Sequence, residues 1–571
     1  MRIIFFALLS FFVLVPAASA KSPIINYKTR FIPTISENGM VVAAEKLASE
    51  VGVDILERGG NVVDAAVATG FALAVTYPRA GNLAGGGFML VHLARENKQI
   101  VIDYRESAPL AAKRDMYLDA KGEVDRMRSF ASHQAAGVPG TVAGLVYALE
   151  KYGTMSLKEV LKPAIKLAHK GFPVSYALAF EISGRANYLP WHESSRPLFF
   201  KPDGSAYAAG EHFTQPELAW TLRQIAKKGA HAFYKGTIAE KIIADMEANN
   251  GLITREDLAG YKVVERTPVR GSYRDYEIVA TPAPSSGGLN IIQILNILEG
   301  YDLASLGHNS AAYLHRLTES MKLAYADRSK YLGDPDFSKV PVAQLLDKKY
   351  AAHLRKSIDI DKARPAAEIA PGLDVPYEST DTTHYSIMDK DGNVASNTYT
   401  LNFSFGSGIA VPGTGMLLNN EMADFSAKPG AANPFGLVGG AANEIEPGKR
   451  PLSSMTPTLV LKDGKAWLTT GSPGGSRIIT TVLQLLLNAM DFDMNVASAA
   501  AAARIHSQWL PDKVIVESGV SPDTVKLLEG MGHGAVRGDR TLGRTQSIML
   551  QDGLLYGATD TRRPGGSVAG Y

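Results

Sequence analysis

The chain has 571 residues, 46% of them hydrophobic and 20% charged, the make-up of an ordinary folded protein. Its 59 basic and 57 acidic residues leave a net charge of +2, which gives no electrostatic footprint for nucleic acid and no tail or polybasic anchor. Cysteine is absent, which excludes disulfides, thiolate metal sites and a cysteine nucleophile.

The first twenty residues, MRIIFFALLSFFVLVPAASA, place one charge at Arg2, an apolar run to Val15 and a small-residue ending at Ala18-Ser19-Ala20. This is the shape of a cleavable secretory signal, too short and wrongly flanked for a stable membrane span. The expectation is export, to a periplasm or beyond, with no membrane association once residues 1–20 are removed. Residues 41–77 read as helical by period and rich in alanine, ending at Pro78. GNLAGGGFMLVHL then leads through Gly85-Gly86-Gly87 into a strand. No lysine follows at phosphate-loop spacing, so the triple glycine is read as close backbone packing. Residues 137–260 look mostly helical, with Gly or Lys-Gly endings where C-caps belong. EIVATPAPSSGG (277–288) is strand-like and precedes two further helices. Residues 359–380 lose periodicity and carry Pro365, Pro371 and Pro376, an extended linker lying against the body. Beyond it THYSIMD, GNVASNTYTLN, PTLVLKDG and KAWLTTG read as strands, with turns at Asp391-Gly392 and Asp463-Gly464. A helix follows Gly474-Gly475, and a hairpin around Asp552-Gly553 closes the chain. Helical first and sheet-rich second, the order predicts a layered α+β protein.

The chemistry points away from metals and cofactors. The twelve histidines are scattered, and none forms a ligand motif. His384 alternates onto the strand face of Thr382 and so invites a role as general base, although a histidine paired with backbone or solvent is the simpler reading. Thr382 and Thr383 stand where the linker gives way to a strand. A threonine hydroxyl needs a base; if the backbone is cut just before it, its own α-amine, with a pKa of roughly 7.7–8.0, serves. The stiff threonine χ1 limits how hydroxyl and amine can be oriented. Downstream, the N–H groups of Gly474 and Gly475 stand at a helix threshold, suited to an oxyanion. KRPLSSMTPTL offers Ser453 and Ser454 to a carboxylate, and NNEMADFS offers Glu421 and Asp424 to an ammonium.

These segments, with IDYRESAP, GVPGTVAGL, TPAPSSGG, MKLAYADRSKYLGDP, NPFGLVGG, TTGSPGGSRI and GATDTR, closely resemble the gamma-glutamyltransferases (gamma-glutamyltranspeptidases, or glutathione hydrolases), in order and over essentially the whole chain after the leader. The resemblance implies the N-terminal-nucleophile hydrolase fold, an αββα four-layer sandwich. It implies a precursor cut between Asp381 and Thr382 into a large subunit (21–381) and a small one (382–571), folded together as one heterodimeric body. By the same resemblance Thr382 is the nucleophile that attacks the γ-amide of glutathione or another γ-glutamyl compound. The resulting ester passes the group to water, an amino acid or a short peptide. Thr400 orients the nucleophile, and Gly474 and Gly475 form the oxyanion hole. Arg105, Ser453 and Ser454 take the α-carboxylate, while Asn402, Glu421 and Asp424 take the α-ammonium. No cofactor and no metal are implied.

Two positions depart from the pattern. Glu421 stands where several bacterial relatives carry glutamine, and Phe435 stands where some carry a lid-loop tyrosine, which predicts a looser lid. The rival readings are a cephalosporin (glutaryl) acylase of the same fold and, from another class, an inactive periplasmic binding protein.

Overall fold

In the strand Gly39–Ala43, Val41 and Ala43 join one hydrophobic core while Met40 and Val42 join a second. The strand Gly86–Leu93 divides in the same way, Met89 and Val91 to the first core and Phe88 and Leu90 to the second. A strand that is apolar on both faces is buried on both, which is the signature of a layer inside a sandwich. The structure, a computed structural model, describes residues 31–185, 191–369, 382–428, 439–538 and 541–571. The leader, Asp381 and Phe435 lie outside these residues.

Two seven-stranded antiparallel sheets form the middle of the molecule. One runs in the order Ser567–Gly570, Gly39–Ala43, Thr383–Asp389, Val394–Thr400, Gly86–Leu93, Lys98–Asp103, Val264–Arg266. The other runs Thr34–Ser36, Leu554–Thr559, Gln546–Gln551, Lys465–Thr470, Thr458–Lys462, Tyr276–Ala280, Val269–Tyr273. Helices Lys46–Glu57, Val62–Thr76, Thr141–Tyr152 and Leu157–Lys170 share the first core. Helices Gly287–Leu298, Ala311–Tyr331 and Arg477–Met490 share the second. This is the expected αββα sandwich, with each buried Val, Leu or Ile contributing roughly 1.5–3 kcal/mol.

Two sequence expectations are corrected. The single helical run over residues 41–77 is a strand followed by two helices. Gly59, at φ +90, turns the chain, and Asn61 opens the second helix by a reciprocal capping box with Asp64. The helical-then-sheet order also fails as a map of the layers, because both sheets interleave strands from before and after residue 382. Thr383–Asp389 pairs with Gly39–Ala43 on one side, and Thr458–Lys462 pairs with Tyr276–Ala280. Short, fully buried strands carry no alternation for a period-based reading to detect. The turns were legible: Asp463-Gly464 and Asp552-Gly553 each place two residues at positive φ, as a tight hairpin requires.

Residues 359–369 lie against the body as expected. His315 bonds the carbonyl of Asp359, Lys322 donates to that of Arg364, and Ala363 N–H donates to Met531 O at 2.7 Å. The end of this stretch, Ala366–Ile369, is a single helical turn.

Candidate active site

The register of two strands creates the centre. Thr383 faces Tyr399 across the ladder, so the next pair outward is Thr382 and Thr400. Both side chains have the parity that points between the sheets, and Thr382 Oγ1 donates to Thr400 Oγ1 at 3.4 Å. Asn402 N–H donates to the same Thr400 oxygen at 2.8 Å, fixing it as an acceptor. Asn402 holds φ at +77, a left-handed conformation that asparagine tolerates, and its Nδ2 donates to Asn420 O at 3.0 Å. Glycines beside the pair are packed to the limit. A Cβ on Gly85 would lie 2.0 Å from Thr400 O, and one on Gly87 would lie 2.4 Å from Thr398 O. The triple glycine serves close packing, as its sequence suggested.

Around Thr382, which is 7% exposed, a pocket of about 340 Å³ gathers residues distant in sequence. Nine of the ten expected site residues line it: Arg105, Thr382, Thr400, Asn402, Glu421, Asp424, Ser453, Ser454 and Gly475. The tenth, Gly474, immediately precedes Gly475 on the loop that enters the helix Arg477–Met490. Gly474 has φ +140 and Gly475 φ +55, conformations that L side chains rarely adopt, so glycine is required at both. Neither backbone N–H is committed to a hydrogen bond among the described residues, and each is free to meet a developing oxyanion.

Arg105 follows the strand Lys98–Asp103 into the pocket and is fully buried. Its guanidinium pairs with Glu421 and Asp424, both on the single turn Glu421–Asp424, and lies 3.4 Å from Glu106 Oε2. Nε donates to Pro451 O at 3.2 Å. One oxygen of each carboxylate, Glu106 Oε1, Glu421 Oε2 and Asp424 Oδ1, is buried without a hydrogen-bond partner. Burial raises the Glu421 and Asp424 carboxyls above the usual range against the pull of Arg105, and it pushes Glu106 up to about 7. One arginine facing three carboxylates, three of whose oxygens are unpaired, is a site built to receive a cation.

The two serines sit opposite. Ser453 O accepts from both the N–H and the Oγ of Ser286 at 2.8 Å, and Ser454 Oγ accepts from Arg328 at 3.3 Å. Asn419 braces the acidic turn: its Oδ1 accepts from Gly137 N–H at 2.8 Å and Glu421 N–H at 3.0 Å, and its Nδ2 donates to Ala84 O and Gly137 O.

Sequence reasoning left three residues unassigned. Glu106 stood in IDYRESAP as a neighbour of Arg105, and Asn419 preceded the acidic turn. Arg328 stood in MKLAYADRSKYLGDP, where only an arginine at a helix position otherwise fully buried could have marked it. His384 is a paired histidine, as the simpler reading had it, but its partners are side-chain hydroxyls rather than backbone or solvent. It does share the face of Thr382, but it is sealed between the sheets with Nδ1 2.8 Å from Thr398 Oγ1 and Nε2 3.0 Å from Ser386 Oγ. Burial pushes its pKa down to about 3, so it is neutral and occupied.

The gamma-glutamyltranspeptidase family model matches residues 48–570. The glutathione hydrolase proenzyme of Escherichia coli (strain K12) is 54% identical over 575 residues, covering 100% of this chain and 99% of the relative. Among solved structures, cephalosporin acylase from Bacillus halodurans aligns with a TM-score of 0.83 at 30% identity, covering 96% of this chain and 99% of its own. Helicobacter pylori gamma-glutamyltranspeptidase aligns with a TM-score of 0.57 at 45% identity, covering 62% of this chain and 99% of its own.

Proposed function

This chain belongs to the gamma-glutamyltranspeptidase family, and from that premise we propose that it is a self-processing enzyme that takes the γ-glutamyl group from glutathione and related amides. In the precursor, the Thr382 hydroxyl attacks the Asp381 carbonyl, and the peptide nitrogen is displaced to leave an ester. That displacement frees the Thr382 amine, and water then hydrolyses the ester, releasing Asp381 as a carboxylate and restoring the Thr382 hydroxyl. Residues 21–381 and 382–571 stay together as two subunits because each sheet is built from both. The share of this chain matched by the Helicobacter pylori chain supports that division, since residues 21–381 make up a similar fraction. The sequence of residues 1–20 supports export to a periplasm.

In turnover the freed amine accepts the hydroxyl proton, Thr382 Oγ1 attacks the γ-carbonyl, and the amine leaving group takes the proton as the ester forms. Thr400 receives and orients the nucleophile, while the Gly474 and Gly475 N–H groups face the tetrahedral oxygen. Water or an acceptor amine resolves the ester; a higher fraction of unprotonated amine at alkaline pH favours transfer. The substrate's ammonium takes the unpaired oxygens of Glu421 and Asp424 beside Asn402. Its carboxylate meets Arg105, Ser453 and Ser454, so that a zwitterion inserts into an existing ion pair.

The observation that carries this reading is the surplus of carboxylate oxygen around Arg105. A glutaryl group has no ammonium to satisfy it, so the geometry favours a γ-glutamyl donor over the acylase alternative. The test has two parts. A denaturing gel with N-terminal sequencing is expected to give a fragment beginning Thr-Thr-His-Tyr, absent in T382A along with all activity. γ-Glutamyl-anilide is expected to be cleaved far faster than glutaryl-anilide. A single uncut band in active protein, or the reverse preference, overturns the assignment.

A further inference from the structure

The pocket contains two arginines, and only one of them is ion-paired. Arg105 is tied to Glu421 and Asp424 with Glu106 close by. Arg328 reaches the same pocket from the helix Ala311–Tyr331, with 4% of its surface exposed. Its Nε donates to Ser286 Oγ at 2.9 Å and its Nη2 to Ser454 Oγ at 3.3 Å. Among the described residues no carboxylate comes within ion-pair distance of it, and Nη1 donates to no protein atom. Burial pushes its pKa down to about 10, which still leaves it charged near neutral pH. A guanidinium sealed from water with only hydroxyl partners is half of an ion pair.

Its partners also place it. Ser286 donates twice to Ser453 O, and Ser454 accepts directly, so this one guanidinium braces both serines of the carboxylate end. An incoming anion there meets Arg105 already hydrogen-bonded to two acids with a third close by, and Arg328 held in no ion pair, with only the field of Asp424 acting on it from farther off. Resting on the γ-glutamyl reading of the pocket, we propose that Arg328 is a specificity-determining residue: it supplies a positive charge not tied up in any ion pair, which selects donors carrying an α-carboxylate. Asp424 and Glu421 sort donors by their ammonium, and Arg328 sorts them by the opposite end.

The experiment compares two anilide donors that differ only in that carboxylate, γ-glutamyl-p-nitroanilide and 4-aminobutanoyl-p-nitroanilide, on processed enzyme and its R328M variant. Wild type is expected to prefer the first. In R328M, kcat/KM for the γ-glutamyl donor is expected to fall about 10- to 100-fold, mostly through KM, the size of a lost charge-assisted hydrogen bond. The 4-aminobutanoyl donor should change by less than about threefold, since it never used the charge. An equal fall on both donors assigns Arg328 to holding the serine loop and overturns the proposal, as does no fall on either or a wild type indifferent to the carboxylate. Failure of wild type to cleave any γ-glutamyl anilide defeats the parent reading instead. If R328M is not cut, R328K is assayed in its place. It keeps the charge and loses the two-serine fork, so the preference is expected to survive in weakened form; an equal fall on both donors, which leaves the preference at its wild-type size, overturns the idea.

Discussion

Two of the networks of buried arginine and carboxylate among the described residues differ in whether the oxygens are filled. In the first, Arg504 and Arg562 meet Asp560 and Glu517. Asp560 Oδ2 accepts from Arg504 Nη1 at 2.8 Å and Arg562 Nη2 at 2.7 Å, and its Oδ1 accepts from Arg562 Nε at 2.9 Å. Glu517 accepts from Arg504 N–H, Leu542 N–H and Arg562. In the second, Arg105 alone faces Glu106, Glu421 and Asp424, and each acid keeps an empty oxygen. Both are buried, yet burial is overcome in the first, where the two arginines hold Asp560 well below the usual carboxylate range. It prevails in the second, where Asp424 is raised. Two charges against two is a finished structural joint; one against three is a receptor.

The widest separation between the two is expected from paired substitutions. D424N is expected to lower kcat/KM for γ-glutamyl-anilide by about 100- to 1,000-fold, the cost of removing one partner of a buried pair at roughly 1.4 kcal/mol per tenfold. It should also narrow the preference over glutaryl-anilide and leave the melting temperature near wild type, because an uncompensated charge is removed. D560N is expected to do the opposite, costing about 3–5 kcal/mol of stability by stranding two guanidiniums. The folded-state pKa of Asp560 is depressed, so its contribution is present above the unfolded value and is lost as pH falls through the folded one. The gap between D560N and wild type in denaturant unfolding should therefore close only in strong acid. A D424N protein that melts early with its donor preference intact would erase the distinction.

How much of this the sequence disclosed divides along the same line. The pocket's members were legible one by one because each sits in a segment with a resemblance behind it, and Thr382, Thr400 and Gly475 needed only strand register and a helix start to come together. The imbalance among them was not legible. Neither the partners of Arg105 nor the absence of an ion pair at Arg328 can be read from IDYRESAP or MKLAYADRSKYLGDP, since charge compensation depends on which side chains a fold brings within a few ångströms. The same reason hid the seal around His384, whose neighbours Thr398 and Ser386 come from adjacent and own-strand positions while Gly471 closes over it from the other sheet.

A smaller effect sharpens the receptor side. Burial raises Glu106 to about 7 against Arg105, with Asp424 and Asp103 adding to the rise. The folded state then holds a proton that the unfolded chain gives up near its ordinary value of 4.5. Stability from this group is therefore full below that value and declines as pH rises toward 7. E106Q is expected to match wild type at pH 4 and to exceed it at pH 8 by on the order of 1–3 kcal/mol, flattening the melting-temperature profile between. An unchanged slope would remove Glu106 from the under-paired set.

The smallest effect on rate is expected at the most tempting residue. His384 lies two positions from Thr382 on the same face, but it belongs with the finished networks: both ring nitrogens have hydroxyl partners and burial holds it neutral down to about pH 3. Because its folded pKa is lowered, it takes stability away as pH falls from about 6.5, where the unfolded ring protonates, toward 3. H384N keeps an acceptor for Thr398 and is expected to cost about 1–2 kcal/mol of stability from the lost Ser386 bond. kcat/KM should stay within about threefold and keep its neutral-pH limb. On the proposed mechanism that limb is set by the Thr382 amine, whose ordinary range is roughly 7.7–8.0. If H384N shifts or abolishes the limb, the base is the imidazole after all, and the cut that creates the amine no longer explains why the chain places its threonine where the strand begins.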